Sequence, residues 1–252
     1  MQQVDHRPWP LPAEPWHVFQ SWQHLLFAHY PVSVATLRPL IPRELEIETF
    51  DGTAWIGVVP FYLVIRPRWT PGVPGLSFFP EINVRTYVRH GDRSGVWFFS
   101  LDATNRLAVW AARSFYGLPY FQARIAMRRP RHDEPGSQVV FASQRMHPQG
   151  GRARFVGRYR PVGQVCAPQP GTIEHFLAER YCLYAQHPQQ GLLRVEVHHA
   201  PWPLQKAVAE IDENSMAEPV GIRFSNPPVW THFAAGVDVA VWGGNALRLA
   251  SE

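Results

Sequence analysis

Lysine is almost absent from this sequence, because of its 24 basic residues only Lys206 is a lysine and the rest are arginines. A guanidinium group stays protonated in proteins and does not act as an amine nucleophile. Amine chemistry, such as imine formation with a ketone, can therefore draw only on Lys206 and on the N-terminal amine.

Cysteine and long apolar runs are also scarce. The two cysteines, Cys166 and Cys182, form no CxxC pair, so we expect both to be reduced. No stretch of 18 apolar residues occurs, since even FAAGVDVAVWGG contains Asp238. The N-terminus lacks a basic start followed by an apolar run. We expect a cytoplasmic protein with no membrane partner.

Several motifs that carry chemistry are missing as well. GxGxxG, GK[ST] and GxSxG do not occur, which removes support for nucleotide binding and for a hydrolase nucleophile. The adjacent His198 and His199 would face opposite sides of a strand, so we predict no metal site and no cofactor. The arginine-rich stretch 152–160 contains Phe155 and Tyr159, a mixture that can bind nucleic acid. A solvated strand face is the commoner meaning, and we predict no nucleic-acid partner.

The 25 prolines and 18 glycines favour many turns and short elements. The pattern predicts a single domain over 1–252, with a proline-rich arm on the surface at 1–15. The predicted class is α+β, mainly antiparallel β. Asp51-Gly52 between two β-rich runs predicts a hairpin, and a polar turn at 90–95 joins a second one. The period of 16–30 is ambiguous between strand and helix, and 66–80 is predicted to be irregular.

Three helices are predicted from their end signals. A short one follows Ser33 and stops at Pro42, and one over 104–116 is capped by Thr104 or Asp102 and ended by Gly117. The third starts at Thr172 and continues through TIEHFLAERYCLYA. The further predicted strands are about 120–128, 138–145, 152–160, LLRVEVHH, VGIRF and GVDVAVWG.

The stretch EINVRTYVR places Glu81, Asn83, Arg85, Tyr87 and Arg89 on one strand face. This row has two interpretations. One is a solvent face with cross-strand ion pairs. The other is the polar lining of an internal cavity.

Long blocks of the chain resemble a YqjF-like bacterial family, the domain of unknown function 2071, over about residues 14–245. The blocks are PWHVFQSWQHLLFAHYPV, TFDGTAWIGVVPF, FPEINVRTYV, GVWFFSLDA, ARSFYGLPY and HHAPWPLQ. That family is similar, more distantly, to the acetoacetate decarboxylase superfamily. The resemblance implies a β-barrel-like clamshell of antiparallel strands with a few short helices around a central pocket. It also implies that a homodimer would be in keeping with the superfamily, although no residue pattern requires one.

In acetoacetate decarboxylase a Gly-Arg-Glu helix leads to a Pro-Lys-Lys corner, where one lysine forms an imine with the keto acid. Laid on this sequence, Arg113 falls at the helix Arg, Pro119 at the Pro, and Tyr120 and Phe121 at the two lysines. Glu81 would take the place of the strand Glu, whereas Ser114 replaces the helix Glu. Neither Tyr nor Phe can form an imine, so Schiff-base decarboxylation is not predicted.

We expect the candidate site residues to lie around one pocket. We predict catalytic roles for Glu81 and Tyr120, and ligand-binding roles for Arg113, Arg85, Asn83 and His29. The ligand would be a small organic acid or a keto-acid-like compound, with acid/base chemistry on a carbon acid or its enol. The alternatives are a non-catalytic binding or sensor protein with the same pocket, and an interaction protein using a tryptophan-rich surface.

Overall fold

The structure, a computed structural model, describes residues 3–68, 77–129, 138–147 and 149–247. Most of the predicted irregular loop 66–80 lies outside the described residues. The strands are β1 (Val18–Val32), β2 (Glu46–Ile47), β3 (Ala54–Pro67), β4 (Phe78–His90), β5 (Arg93–Ala103), β6 (Tyr120–Arg128), β7 (Val139–Arg145), β8 (Arg154–Cys166), β9 (Cys182–His187), β10 (Gly191–His199), β11 (Leu204–Asn214) and β12 (Trp230–Ala246). The α-helices are α1 (Val34–Leu37), α2 (Arg106–Tyr116) and α3 (Ile173–Ala178).

The strands form one 12-stranded sheet that closes on itself twice. One closed circuit runs β4-β3-β1-β12-β10-β9-β5 and returns to β4. The other runs from β12 through β11, β8, β7 and β6 to β5. It closes through β4, β3 and β1, which it shares with the first circuit, back to β12. The pairings β5–β6 and β5–β9 are parallel, and the others named here are antiparallel. The predicted class, α+β with mainly antiparallel strands, is confirmed.

Strand β1 separates the interiors of the two circuits. Leu25 and Phe27 belong to one apolar cluster, whereas Leu26 and Ala28 belong to another. Because alternate side chains point to opposite faces of a strand, a strand covered on both faces is apolar at nearly every position. This double burial, which covers residues 25–30, explains why the second half of 16–30 shows no alternation in the sequence.

The predicted helix ends are right at two positions and wrong at a third. Ser33 caps α1, and Gly117 ends α2 in the left-handed conformation with φ of 64°. The N-cap of α2 is Asn105, whose side chain accepts from two backbone amides, and not Thr104 or Asp102. Asp102 is unavailable because it lies in β5 and binds an arginine.

The Asp51-Gly52 turn exists, but its hairpin is minimal. Both residues have positive φ, as a tight hairpin turn requires, and Phe50 and Thr53 form one isolated bridge. The strand before the turn, β2, then pairs with β4 and not with β3. The second predicted hairpin, β4–β5, is confirmed. It pairs from Glu81 opposite Ala103 to His90 opposite Arg93, with one register shift between Val84 and Arg85, and its turn is shorter than the predicted 90–95.

The C-terminal half departs most from the sequence prediction. Helix α3 starts after Thr172 as predicted but ends at Ala178, and the predicted continuation from Cys182 is strand β9. Pairing of β9 with β10 and β5 outweighs the local helix preference. The stretch VGIRF is not a strand: it begins in a 3-10 turn, Glu218–Val220, and the rest is irregular. Strand β11 was not predicted.

The predicted surface arm is partly buried. Arg7 and Trp9 are 8% and 7% exposed. Arg7 donates to the backbone carbonyl of Val197 at 2.6 Å, and both side chains bind the carboxylate of Glu196. The arm is thus anchored on β10. In the described part of the chain, no helix is long and apolar enough to cross a membrane.

Candidate functional site

A cavity of about 480 Å³ lies inside the circuit that contains β4 and β10. Side chains from β1, β3, β4, β5, β9 and β10 line it, and helix α2 covers one end. The cavity meets solvent at α2, because the lining residues Leu107 and Trp110 are 57% and 61% exposed. Its volume falls in the range of about 300–1,000 Å³ that small-molecule sites occupy.

The polar row on β4 lies inside the protein. Glu81, Asn83 and Arg85 all line the cavity and are 2%, 5% and 7% exposed. Tyr87 is fully buried behind them, whereas Arg89 is exposed and pairs with Glu46. Of the two interpretations of EINVRTYVR, the cavity lining therefore agrees with the structure from Glu81 to Arg85.

Glu81 and Tyr120 form a buried acid–phenol pair. The Tyr120 hydroxyl donates to Oε2 of Glu81 at 2.9 Å. Burial raises the pKa of Glu81 to about 8, although the hydrogen bond from Tyr120 acts in the opposite direction. Burial and the neighbouring Glu81 hold the pKa of Tyr120 well above its usual value. At neutral pH Glu81 is therefore mainly an undissociated acid that can donate a proton.

Arg85 is a buried cation with no carboxylate partner among the described residues. Its guanidinium donates to the carbonyl of Leu177 at 3.4 Å and lies over the rings of Phe27 and Tyr87. Its buried Nε has no hydrogen-bond partner in the described part of the chain, and the same holds for Oδ1 of Asn83. A buried charge without a counter-ion is costly, and such charges normally have a partner.

His29 lies behind this row and does not line the cavity. Its Nε2 is 2.6 Å from the Tyr87 hydroxyl, which in turn donates to the carbonyl of Leu177 at 2.7 Å. Burial, and then the nearby Arg85, hold the pKa of His29 well below its usual value. The neutral imidazole supports Tyr87, and the structure does not bring His29 into contact with the cavity.

Arg113 is also outside the cavity. Its side chain is exposed on α2, and Nη1 donates to the backbone carbonyl of Tyr120 at 2.8 Å. Phe121 faces away from Tyr120 and lies against the guanidinium groups of Arg113 and Arg145. Arg113 therefore holds the corner after α2, and the geometry does not support the predicted carboxylate clamp at this residue.

A buried ion pair fixes the strand end next to the corner. Arg145 binds Asp102 through two hydrogen bonds of 2.8 and 2.6 Å, and both side chains are almost fully buried. This bidentate geometry is the strong form of an arginine–carboxylate contact. It holds the end of β5, which pairs with β6 where Tyr120 begins.

Sequence reasoning missed several residues that line the cavity. Trp202 is 1% exposed, and its Nε1 has no hydrogen-bond partner among the described residues. Arg180 and His199 also line the cavity, but Arg180 is paired with Glu48 and both nitrogens of His199 lie near backbone carbonyls. The block HHAPWPLQ, which contains two of these residues, was the available signal.

The sequence of this chain is similar to that of a known protein family. The DUF2071 family, described as "Uncharacterized conserved protein", matches residues 19–238. The chain belongs to the DUF2071 family. YqjF of Bacillus subtilis (strain 168), described as an uncharacterized protein, is 39% identical over 228 residues, which cover 90% of this chain and 91% of that protein. The predicted resemblance is thereby confirmed.

Solved structures confirm the fold of this DUF2071 protein. An acetoacetate decarboxylase-like enzyme from Sphingomonas wittichii RW1 matches with a TM-score of 0.63 and 16% identity, over 92% of this chain and 93% of that one. The enduracididine biosynthesis enzyme MppR, complexed with the condensation product of pyruvate and imidazole 4-carboxaldehyde, gives 0.65 and 15% over 94% and 92%. Acetoacetate decarboxylase from Legionella pneumophila gives 0.59 and 12% over 97% and 93%. At these identities the likeness shows the fold alone.

The DUF2071 chain offers no lysine at its cavity. Lys206, the only lysine in the sequence, is exposed on β11 and does not line the cavity. Among the described residues, no group of three His, Cys, Asp or Glu side chains could hold a metal ion. The arginines of 152–160 include Arg154 and Arg158, which are exposed and pair with acidic side chains of β11.

Proposed function

We propose that the cavity binds an organic carboxylate, with Arg85 as its counter-ion and with the Glu81–Tyr120 pair exchanging a proton with the ligand. The observation that carries this proposal is the guanidinium of Arg85, which is 7% exposed, borders the cavity and has no carboxylate partner in the described residues. An arginine matches a carboxylate through parallel hydrogen bonds and remains charged when buried.

The Glu81–Tyr120 pair supplies the proton chemistry. General acid–base catalysis is most efficient when the pKa of the group lies near the working pH, and the pKa of Glu81 is about 8. An undissociated Glu81 can protonate a carbonyl oxygen or an enol carbon of the ligand. Its carboxylate, stabilised by the Tyr120 hydroxyl, can take the proton back. This cycle needs no imine and therefore no lysine.

One structural neighbour, MppR, has been solved with an organic acid. That acid is pyruvate, a carboxylate with an adjacent ketone. The likeness to MppR is one of fold, so the support for an organic acid here depends on Arg85 and not on that neighbour.

A purely binding role uses the same contacts without turnover. Most of the lining is apolar, as is usual in sites that only bind a ligand, and this favours the second candidate. In that role Glu81 and Tyr120 are hydrogen-bonding groups for a bound acid. The variant Glu81→Gln separates the two functions. A catalytic role predicts that Gln keeps ligand affinity and loses turnover, whereas a binding role predicts no turnover in either protein.

The test is a thermal-shift screen of carboxylic and keto acids on the wild type, on Arg85→Gln and on Arg106→Gln. A ligand at a hundredfold excess over its dissociation constant stabilises the folded state by about 2.7 kcal/mol, which is several degrees for a protein of this size. We expect this shift in the wild type and in Arg106→Gln, and its loss in Arg85→Gln. Arg106 is the control because it is an exposed arginine of α2 that does not line the cavity.

Isosteric amides of the ligands that stabilise the wild type complete the test. If an amide stabilises the protein as well as its acid does, or if Arg85→Gln retains the shift, then Arg85 is not the carboxylate site and the proposal is wrong.

A further inference from the structure

Strand β4, together with Ser77 just before it, runs along one wall of the cavity. Alternate residues from Ser77 to Arg85 line this wall. At about 3.4 Å per residue, these eight steps correspond to about 27 Å of backbone. The lined wall is therefore longer than a three- or four-carbon acid could contact.

The two ends of this cavity differ in character. At the end near Arg85, the lining residues Ala178 and Cys182 are buried. At the other end, Leu107 and Trp110 of α2 are exposed to solvent. A ligand with its carboxylate at Arg85 would therefore have its charged group deep inside and its remaining part directed towards α2.

Apolar and aromatic side chains form most of the wall between the two ends. Phe61 and Phe79 of the β3–β4 pair line the cavity, and so does Trp202, which lies edge-to-face against Phe27 at 4.9 Å. These side chains offer dispersion contacts and removal of apolar surface from water, but no site for a second charge.

The charged groups that line the cavity fit one anionic group on the ligand. Among the described lining residues the arginines are Arg85 and Arg180, and Arg180 is already paired with Glu48 at 2.5 Å. Glu81 and Asn83 are the polar groups next along β4. They suit an uncharged oxygen group and disfavour a second carboxylate.

We infer that the ligand is an elongated, mainly apolar monocarboxylate, with its carboxylate at Arg85 and its apolar chain extending past Glu81 to helix α2. This inference rests on the proposed function and narrows its ligand class: the chain of the acid, and not only its carboxylate, contributes to binding.

The experiment measures dissociation constants for the straight-chain acids from butanoate to tetradecanoate, each below its critical micelle concentration. Each methylene buried in an apolar site contributes about 0.8 kcal/mol, so we expect affinity to rise about fourfold for each methylene that lies against the apolar wall. Dodecanedioate should bind at least tenfold more weakly than dodecanoate, because its second carboxylate would lie against the apolar wall.

Two variants of α2 locate the chain. Ala108 lines the cavity, so Ala108→Trp should weaken dodecanoate binding at least tenfold and leave hexanoate unchanged. Ser114 is exposed on the same helix and does not line the cavity, which makes Ser114→Trp the matched control. Circular dichroism of both variants checks that the fold is retained.

The outcomes separate this inference from the proposed function. If short acids bind through Arg85 and affinity does not depend on chain length, the elongated ligand is refuted while the carboxylate site stands. If no acid of any length binds, or if Arg85→Gln binds them all equally well, the proposed function itself fails. If dodecanoate binds equally to both α2 variants, its chain lies elsewhere on the protein and the inference is overturned.

Discussion

Replacing Glu81 by Gln should remove a large part of the pH dependence of stability. Glu81 is 2% exposed, and burial raises its pKa from 4.5 to about 8 in the folded protein. In the unfolded chain the same group ionises near its ordinary pKa. The folded state therefore holds this proton more tightly, and the stability associated with it is complete below about pH 4.5 and is lost as the pH rises towards 8.

The magnitude follows from the two pKa values. Their difference of about 3.5, at about 1.36 kcal/mol per pKa unit, gives a total of about 5 kcal/mol for a fully buried carboxyl group. Most of that loss, about 4 kcal/mol, falls between pH 5 and pH 9. Gln cannot ionise, yet its amide oxygen can still accept the hydrogen bond from Tyr120, so this term is absent in the variant.

Urea unfolding of both proteins at pH 5, 7 and 9 measures this term. The free energy of unfolding of Glu81→Gln minus that of the wild type should rise by about 4 kcal/mol from pH 5 to pH 9. The control is Glu46→Gln, because the side chain of Glu46 is 62% exposed and makes only a surface ion pair. A difference for Glu81→Gln that changes by less than about 1 kcal/mol over this range would mean that Glu81 is ionised and solvated at neutral pH, and the proton-donor role would be refuted.

Three further predictions concern the surroundings of the cavity. Asp102→Asn should lower the free energy of unfolding by about 3–5 kcal/mol, because it leaves the charge of Arg145 buried without its partner. Chemical denaturation measures this loss, and a value below about 1 kcal/mol would contradict the prediction. Gly117→Ala should lower the melting temperature by several degrees, because the φ of this residue is 64° and the new Cβ would lie 2.7 Å from Cα of His187. An unchanged melting temperature would mean that the corner relaxes freely. Lys206→Met should leave carboxylate binding unchanged, and mass spectrometry after borohydride treatment with keto acids should find no adduct on Lys206 in the wild type; an adduct would restore imine chemistry.

The parts of the site that could be predicted from the sequence depend on short-range rules. Alternation along β4 is sufficient to place Glu81, Asn83 and Arg85 on one face, and Gly117 is sufficient to end α2. Short-range rules do not decide whether this face of β4 meets solvent or lines a cavity. That depends on which distant strands close the circuit around β4. In the sequence, only the family resemblance favours the cavity.

The structure departs from the sequence-based expectations where long-range contacts decide. The stretch after Ala178 has a helical pattern, but Cys182 and Tyr184 are needed in a strand that joins β5 to β10. Arg113 sits where the resemblance places a site arginine, yet side-chain direction depends on the corner it holds, and its guanidinium binds a backbone carbonyl. Spacing along a helix gives the face of a residue and not the partner that its side chain meets.

The residue at the corner after α2 affects whether Glu81 is ionised. Where the resemblance places an imine-forming lysine, this chain has Tyr120, whose hydroxyl donates to Glu81. An ammonium group at that distance would pair with the carboxylate and lower its pKa, so that Glu81 would be ionised at neutral pH. A phenol donates one hydrogen bond but carries no charge, and burial therefore dominates and keeps Glu81 undissociated. Tyr120 thus offers no amine for an imine and leaves Glu81 as a buried acid. Among the described lining residues, the arginine without a carboxylate partner is then Arg85, further along β4.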